Sequence, residues 1–334
     1  MLSEQDESRM EPEREAPCAP RVHTLRLSVT DRCNLRCRYC MPAEGVVKVG
    51  HHELLRLEEL AGTARALAGR LAIERIKLTG GEPLVRKGLP AFVKMLSAIS
   101  GVREVSLTTN GTLLRRLVGE LKKAGLSRVN VSLDSLDGER FAEITRGGNL
   151  EATLGGIEAA LEAGLRPVKL NAVLRRSAWR RDVPALMDFA ASKGLEIRFI
   201  ELMRTGTEHT WCVGEYIAAE EVEAWLADCG TVEPTFNSQA GPARSSLARW
   251  NGSLVQLGWI TPRSHPFCHE CSRLRMDCRG RVYRCLMDNE SLGYADLLRM
   301  MDETTAWTVL RDYLCGKHPP LAMDRDFSMA SIGG

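Results

Sequence analysis

Between Thr24 and Met203 short β-rich runs alternate with longer helical stretches, and a chain patterned this way buries its apolar residues as a parallel sheet covered by helices. The spacing predicts six strands, at Thr24 to Val29, Arg75 to Leu78, Glu104 to Leu107, Arg128 to Leu133, Pro167 to Val173 and Glu196 to Leu202. Amphipathic segments such as Leu57 to Leu71 lie between them. Gly125, Gly164 and Gly194 stand where three helices should end, because a glycine just past the last turn takes a positive φ without steric cost. Six βα units predict an α/β fold, an open, partial (β/α)6 TIM-like barrel with ligands at the C-terminal ends of the strands. A doubly wound sheet is the competing topology, since periodicity alone does not set strand order.

After Met203 the pattern changes. Ala219 to Cys229 reads as a helix, and Ala248 to Ile260 as a hairpin turning at Asn251-Gly252, a pair that tolerates positive φ. Tyr294 to Leu314 reads as one further helix, with Leu297, Leu298, Met301 and Leu310 on one side. The organisation expected is a disordered tail over residues 1–21, the partial barrel over 22–215, and a smaller C-terminal α+β extension over 216–334.

Composition narrows the function. The 45 basic and 43 acidic residues leave a net charge of +2, too even to argue for nucleic acid or a membrane surface. The tryptophans are scattered and form no stacking platform. No run approaches the roughly 18 uninterrupted apolar residues of a spanning helix, and the acid-rich first twenty residues lack the apolar core of a secretion signal. A cytoplasmic protein is expected. Its eleven cysteines are clustered, which favours reduced thiols and metal ligation over a disulfide framework.

Directly after the first strand, CNLRCRYC places Cys33, Cys37 and Cys40 within eight residues. Tetrahedral zinc normally takes a fourth protein ligand, whereas an iron-sulfur cluster can leave one iron open, so three thiolates favour the cluster. The C-x3-C-x-aromatic-C array, with Tyr39 as the aromatic, resembles the radical S-adenosylmethionine superfamily. The resemblance implies a 4Fe-4S cluster whose open iron chelates S-adenosylmethionine, an electron passed into the sulfonium, and a 5′-deoxyadenosyl radical. TGGEP (Thr79 to Pro83), TTNG (Thr108 to Gly111), NVSLDS (Asn130 to Ser135) and FIELM (Phe199 to Met203) fall at the ends of the second, third, fourth and sixth strands. The glycines of TGGEP offer a backbone without side chains for close ligand approach. By resemblance Gly81, Ser132 and Met203 contact S-adenosylmethionine, and Tyr39 does so through its backbone.

A second set, Cys268, Cys271 and Cys285, has C-x2-C-x13-C spacing, and Cys278-Arg279-Gly280 reads as a hairpin tip that returns Cys285 to the C-x2-C loop. Structural zinc with Cys278 or His269 as fourth ligand stands open beside a second cluster. CHECSRLRMD, FIELM and the terminal Gly333-Gly334 together resemble one family, the GTP 3′,8-cyclases of molybdenum cofactor biosynthesis. That resemblance implies a second 4Fe-4S cluster binding the guanine of GTP, and a Gly333-Gly334 tail that enters the active site and is needed for radical formation. It assigns Arg26, Lys77, Thr108, Lys169, Arg198, Arg273, Leu274 and Arg275 to GTP. Lys77 departs from the family pattern, in which arginine is common, and a lysine keeps the charge but loses the bidentate fork. The reaction implied is removal of the ribose 3′ hydrogen, attack of C3′ on guanine C8, and formation of 3′,8-cyclo-7,8-dihydro-GTP with 5′-deoxyadenosine and methionine. An electron donor and a downstream cyclic pyranopterin monophosphate synthase are the implied partners, and a homodimer is left open. The rivals are another radical enzyme with an auxiliary cluster, such as a peptide maturase, and a non-catalytic binding module folded around zinc.

Overall fold

The computed structural model describes residues 22–205, 208–235, 243–288, 290–317 and 324–325. The expected tail over 1–21 and Gly333-Gly334 lie outside these. Six strands and six helices follow in succession: β1 (Thr24–Ser28), α1 (Leu57–Arg70), β2 (Arg75–Thr79), α2 (Leu89–Ser97), β3 (Glu104–Thr109), α3 (Leu114–Lys123), β4 (Arg128–Ser132), α4 (Gly138–Thr145), α5 (Leu150–Glu162), β5 (Val168–Val173), α6 (Trp179–Lys193) and β6 (Glu196–Ile200). Gly125, Gly164 and Gly194 have φ of 103°, 70° and 63° just beyond α3, α5 and α6, as the helix-end reading expects.

Strands β1 to β6 are parallel and lie in sequence order. A doubly wound sheet reverses its order at a switch point, so this sheet is singly wound, as in a partial barrel. The rest of the chain comprises β7 (Arg204–Thr205), α7 (His209–Glu215), α8 (Ala219–Cys229), β8 (Thr231–Thr235), β9 (Arg244–Trp250), β10 (Ser253–Ile260), β11 (Arg273–Met276), β12 (Arg281–Tyr283), β13 (Leu292–Gly293), α9 (Tyr294–Met300), α10 (Glu303–Cys315) and β14 (Asp324–Arg325). Its strands extend the same sheet: β10 pairs parallel with β6, and β11 pairs parallel with β1. Eight parallel strands result, flanked by the antiparallel pairs β9-β8 and β12-β13, so the barrel stays open.

The hairpin joining β9 and β10 turns at Asn251 and Gly252, with φ of 46° and 80°. The single helix expected over Tyr294 to Leu314 is two. The chain is extended at Met301, and the Asp302 carboxylate then caps α10 by accepting from Thr304 N–H and Thr305 N–H at 3.0 Å each. Hydrophobic periodicity runs through such a break because both helices turn apolar residues to the same core.

Side chains alternate across a strand, and here the alternation separates two chemistries. Leu25, Leu27, Ile76, Leu78, Val129 and Phe199 are fully buried in the core that lies between sheet and helices. Their neighbours Arg26, Lys77, Asn130, Lys169 and Arg198 take the other face, the concave interior. Helix α5 approaches the sheet closely because Gly156 rests on the carbonyl of Gly111, where an added Cβ would stand 2.2 Å from the oxygen. Alanine gains about 1 kcal/mol of helix propensity over glycine, but that contact is with backbone and cannot swing away. Gly156→Ala is therefore expected to destabilise the protein by about 1–3 kcal/mol, read as a lower midpoint in urea denaturation.

Candidate active site

The cysteine loop leaves the C-terminal end of β1. Chain packing explains the glycines of TGGEP: Gly81 N–H donates to Thr30 O at 2.8 Å and Glu82 N–H to Arg32 O at 2.8 Å, while a Cβ on Gly81 would lie 2.3 Å from Arg32 O. These glycines thus admit the strand leading to Cys33 against the end of β2. Within the loop, Arg36 N–H and Arg38 N–H donate to Thr145 O and Ile144 O at the end of α4, at 3.1 and 3.0 Å. The Tyr39 hydroxyl donates to Asp134 Oδ2 at 2.8 Å, and Asp134 Oδ1 accepts from Val173 N–H at 2.8 Å.

Cys33, Cys37 and Cys40 form no disulfide and are half-buried. Burial first, then the neighbouring Cys40, Asp134 and Cys33, pushes the Cys37 thiol well up, so the three thiols lie within each other's field. Among the described residues no three histidine, cysteine or acidic side chains close on a single ion. Thiolates on a cubane bind separate irons and flank it rather than meet at a point, and this donor set fits a 4Fe-4S cluster with one open iron.

The second triad stands at the opposite end of the strands. Cys268 and Cys271 precede β11, and β12 runs antiparallel to it, so Cys285 returns beside them, as the hairpin reading expects. Burial and then Cys285 and Cys271 raise the Cys268 thiol. Lys317 secures this loop by donating to Cys271 O at 3.1 Å and Arg273 O at 2.6 Å. Cys278 sits at the far tip of the hairpin, buried, its carbonyl accepting from Leu55 N–H at 3.0 Å. It is not placed to be a fourth ligand with the triad, so of the two zinc alternatives only the one through His269, between Cys268 and Cys271, stands beside a cluster.

Between the triads runs a cationic wall. Strand register sets Arg275, Arg26 and Lys77 in one row, and Thr108, Asn130 and Lys169 in another, with Arg198 beside Asn171. Two carboxylates offset the charge. Glu196 takes Lys169 at 2.5 Å and Arg198 at 2.9 Å, and Glu104 takes Arg128 at 2.7 Å. Compensation is incomplete: burial, then Arg26, Arg198 and Arg128, pushes the Lys77 amine well down, and burial, then Arg273, brings Arg26 down to about 10. Burial followed by Arg26 and Arg273 lowers Arg275 as well. On the same face the buried Oδ1 atoms of Asn130 and Asn171 have no hydrogen-bond partner among the described residues. Cations and acceptors in this arrangement suit a polyanion carrying hydroxyl or amino donors.

The structure thus gathers Arg26, Lys77, Thr108, Lys169, Arg198 and Arg275 on one face, with Arg273 at its edge, its guanidinium 4.9 Å from the Phe267 ring centroid. Leu274 shares this face only through its backbone. Alternation turns its fully buried side chain into the apolar core, away from this face. Gly81, Ser132 and Met203 fall at the C-terminal strand ends, near the first triad. Sequence reasoning missed Glu104, Arg128 and Lys317, whose partners are distant in the chain, and Glu196, which joins the distant Lys169 to Arg198 two residues on. It also missed Glu82, although GGEP contains it.

Glu82 is buried and accepts from Leu84 N–H at 3.0 Å, the Thr109 hydroxyl at 2.7 Å and Asn110 N–H at 2.8 Å. Burial outweighs these bonds and raises its carboxyl to about 7. The folded state then holds the proton more tightly than the unfolded chain, so this group's contribution falls as pH rises from about 4.5 to 7, by on the order of 3 kcal/mol. Glu82→Gln should flatten that part of the stability profile, measured by urea midpoints across this window.

Comparison with known proteins gives the same outline. Residues 27–190 match the Radical SAM superfamily and residues 195–319 the family described as Molybdenum Cofactor Synthesis C. A GTP 3′,8-cyclase of Pelotomaculum thermopropionicum is 46% identical over 279 residues, covering 83% of this chain and 85% of that protein. One of Moorella thermoacetica is 47% identical over 265 residues, covering 79% and 81%. Among solved structures, Streptococcus suis SuiB bound to S-adenosylmethionine shares the fold at TM-score 0.59 and 13% identity, over 86% of this chain and 65% of SuiB.

Proposed function

The chain belongs to the GTP 3′,8-cyclase family of the radical S-adenosylmethionine superfamily, and from that premise we propose how its residues divide the work of cyclising GTP, the first step of molybdenum cofactor biosynthesis. Cys33, Cys37 and Cys40 hold the 4Fe-4S cluster, and Gly81, Ser132, Met203 and the Tyr39 backbone hold S-adenosylmethionine. When bound, this pair supplies the 5′-deoxyadenosyl radical that takes the 3′ hydrogen of GTP. Cys268, Cys271 and Cys285 hold a second cluster facing the guanine. An electron donor completes the reduction, and cyclic pyranopterin monophosphate synthase consumes the product.

The observation that carries this division is the undercompensated cationic face lying between two cysteine triads. Arg26, Lys77, Arg275 and Arg273 take the triphosphate, with Lys169 and Arg198 held in place by Glu196 and Thr108 adding a hydroxyl. A nucleotide fixed at its phosphates and at its base has its ribose confined between them, which turns the attack of C3′ on C8 into an oriented intramolecular step. Strand β14 supports a role for the tail: Asp324 and Arg325 pair with Arg204 and Thr205, directly after Met203. The segments on either side of residues 215 and 216 then share the substrate: the first carries the radical triad with Arg26, Lys77, Thr108, Lys169 and Arg198, and the second adds the other triad with Arg273 and Arg275. Ten cysteines outside any disulfide among the described residues suit a reducing, cytoplasmic compartment.

The test is anaerobic reconstitution with S-adenosylmethionine and reductant, and quantification of 5′-deoxyadenosine with and without GTP. A strong rise with GTP and a cyclised nucleotide are expected; 5′-deoxyadenosine formed without any nucleotide product would overturn the substrate. Replacing Cys33, Cys37 or Cys40 with Ser should abolish 5′-deoxyadenosine formation. Arg275→Ala should weaken GTP binding about ten- to a hundredfold while iron content stays unchanged, as measured by calorimetry and iron assay.

Lys77 adds a pH signature. Burial and neighbouring cations push its amine down in the free protein, and a bound polyanion favours the charged form, so as pH rises through the free amine's titration GTP binding takes up protons and affinity falls. Calorimetry in buffers of different ionisation enthalpy should show this uptake, and Lys77→Arg should abolish it.

A further inference from the structure

The cysteine loop is held by a residue outside it. Arg146 ends α4 with φ 53° and ψ 62°, a left-handed conformation that side chains larger than glycine seldom adopt. Gly147 and Gly148 follow at once, so a turn of this kind had glycines within one residue's shift. What distinguishes position 146 is its side chain. Arg146 Nη1 donates to Arg36 O at 2.9 Å and to Met41 O at 3.0 Å, while Nη2 pairs with Glu208. The two carbonyls bracket Cys37 and Cys40. Glu208 also binds Arg38 Nε at 3.0 Å, and the Arg38 guanidinium lies 4.6 Å from the Trp211 ring centroid.

We propose that Arg146 is the positioning residue of the cluster loop: its one planar guanidinium, anchored by Glu208, fixes both ends of the Arg36–Met41 turn and so the spacing of the thiols. The idea rests on the reading that Cys33, Cys37 and Cys40 bind the cluster. A guanidinium meets three acceptors at fixed angles, which an ammonium on a flexible stem does not. Groups that orient metal ligands from outside typically change metal retention by ten- to a hundredfold when removed.

The experiment uses reconstituted holoenzyme carrying Arg146→Lys, which keeps the charge, or Arg146→Asn, which tolerates the left-handed backbone. The readout is the electron paramagnetic resonance signal of the reduced cluster that responds to S-adenosylmethionine, followed during challenge with an iron chelator, together with the thermal midpoint. Both variants should lose that signal at least about tenfold faster than the wild type at an unchanged midpoint. Because Glu208 also holds Arg38, adding Glu208→Gln to Arg146→Asn should speed loss by a smaller factor than Glu208→Gln does alone, since part of its effect runs through Arg146. Wild-type rates in both variants, or faster loss that only follows a fallen midpoint, would overturn the proposal. A wild-type protein with iron but no signal responsive to S-adenosylmethionine would overturn the reading beneath it as well.

Discussion

The parallel pairing of β11 with β1 sets where the chemistry can stand. β11 lies far along the chain from β1, yet Arg273 falls in register with Thr24 and Arg275 with Arg26. Because the pair is parallel, whatever precedes β11 lies at the N-terminal strand ends and whatever follows β1 lies at the C-terminal ends. One triad is thereby placed below the polar face and the other above it. An antiparallel pairing would have put both at one end and left no room for a nucleotide between them.

That face has a cost which the fold absorbs elsewhere. A barrel interior usually fills with branched apolar side chains, and burying them stabilises it. Here arginines and lysines take those positions, and two carboxylates do not balance them. Clustered buried cations are expensive, and burial with the neighbouring Arg26, Arg198 and Arg128 pushes the Lys77 amine down, the direction that lessens the cost. The core on the outer face offsets this, with Leu25, Leu27, Ile76, Leu78, Phe199 and Trp259 fully buried. A polyanion bound on this face would relieve the repulsion and stabilise the folded state by mass action.

Much of this was legible in the sequence, for identifiable reasons. All six strands fall where the β-rich runs placed them, because a strand buried on one side keeps its period of two and its β-branched residues. The triads and the hairpin at Asn251-Gly252 were legible because local spacing or turn chemistry determines them. What depends on partners distant in the chain was not. Arg128 and Glu104 look like surface charges until β3 and β4 pair, and nothing near Lys317 points to Cys271. The break at Met301 was hidden by apolar residues that keep helical spacing across it. Leu274 was placed with its arginine neighbours because a contiguous motif invites it, although alternation in a strand sends its side chain the other way.

The loops at the site mouth are held by a device that hydrophobicity cannot provide. Each of four strands is followed by a buried acidic residue. After β2, Glu82 accepts from Leu84 and Asn110 N–H; after β4, Asp134 accepts from Val173 N–H and the Tyr39 hydroxyl. After β6, Glu201 accepts from Ala219, Arg263 and Ser264 N–H at 2.9–3.0 Å. After β11, Asp277 accepts from Arg279 and Arg281 N–H at 2.9 and 3.0 Å. Polar loops around a ligand site cannot pack as a core, yet a carboxylate buried at the strand end satisfies several backbone donors at once through charge-assisted bonds. Desolvation is the cost, visible in the raised carboxyls of Glu82 and Asp134. Order at the mouth is therefore obtained from buried carboxyl groups that gather backbone donors, a device that the apolar core on the other face cannot supply.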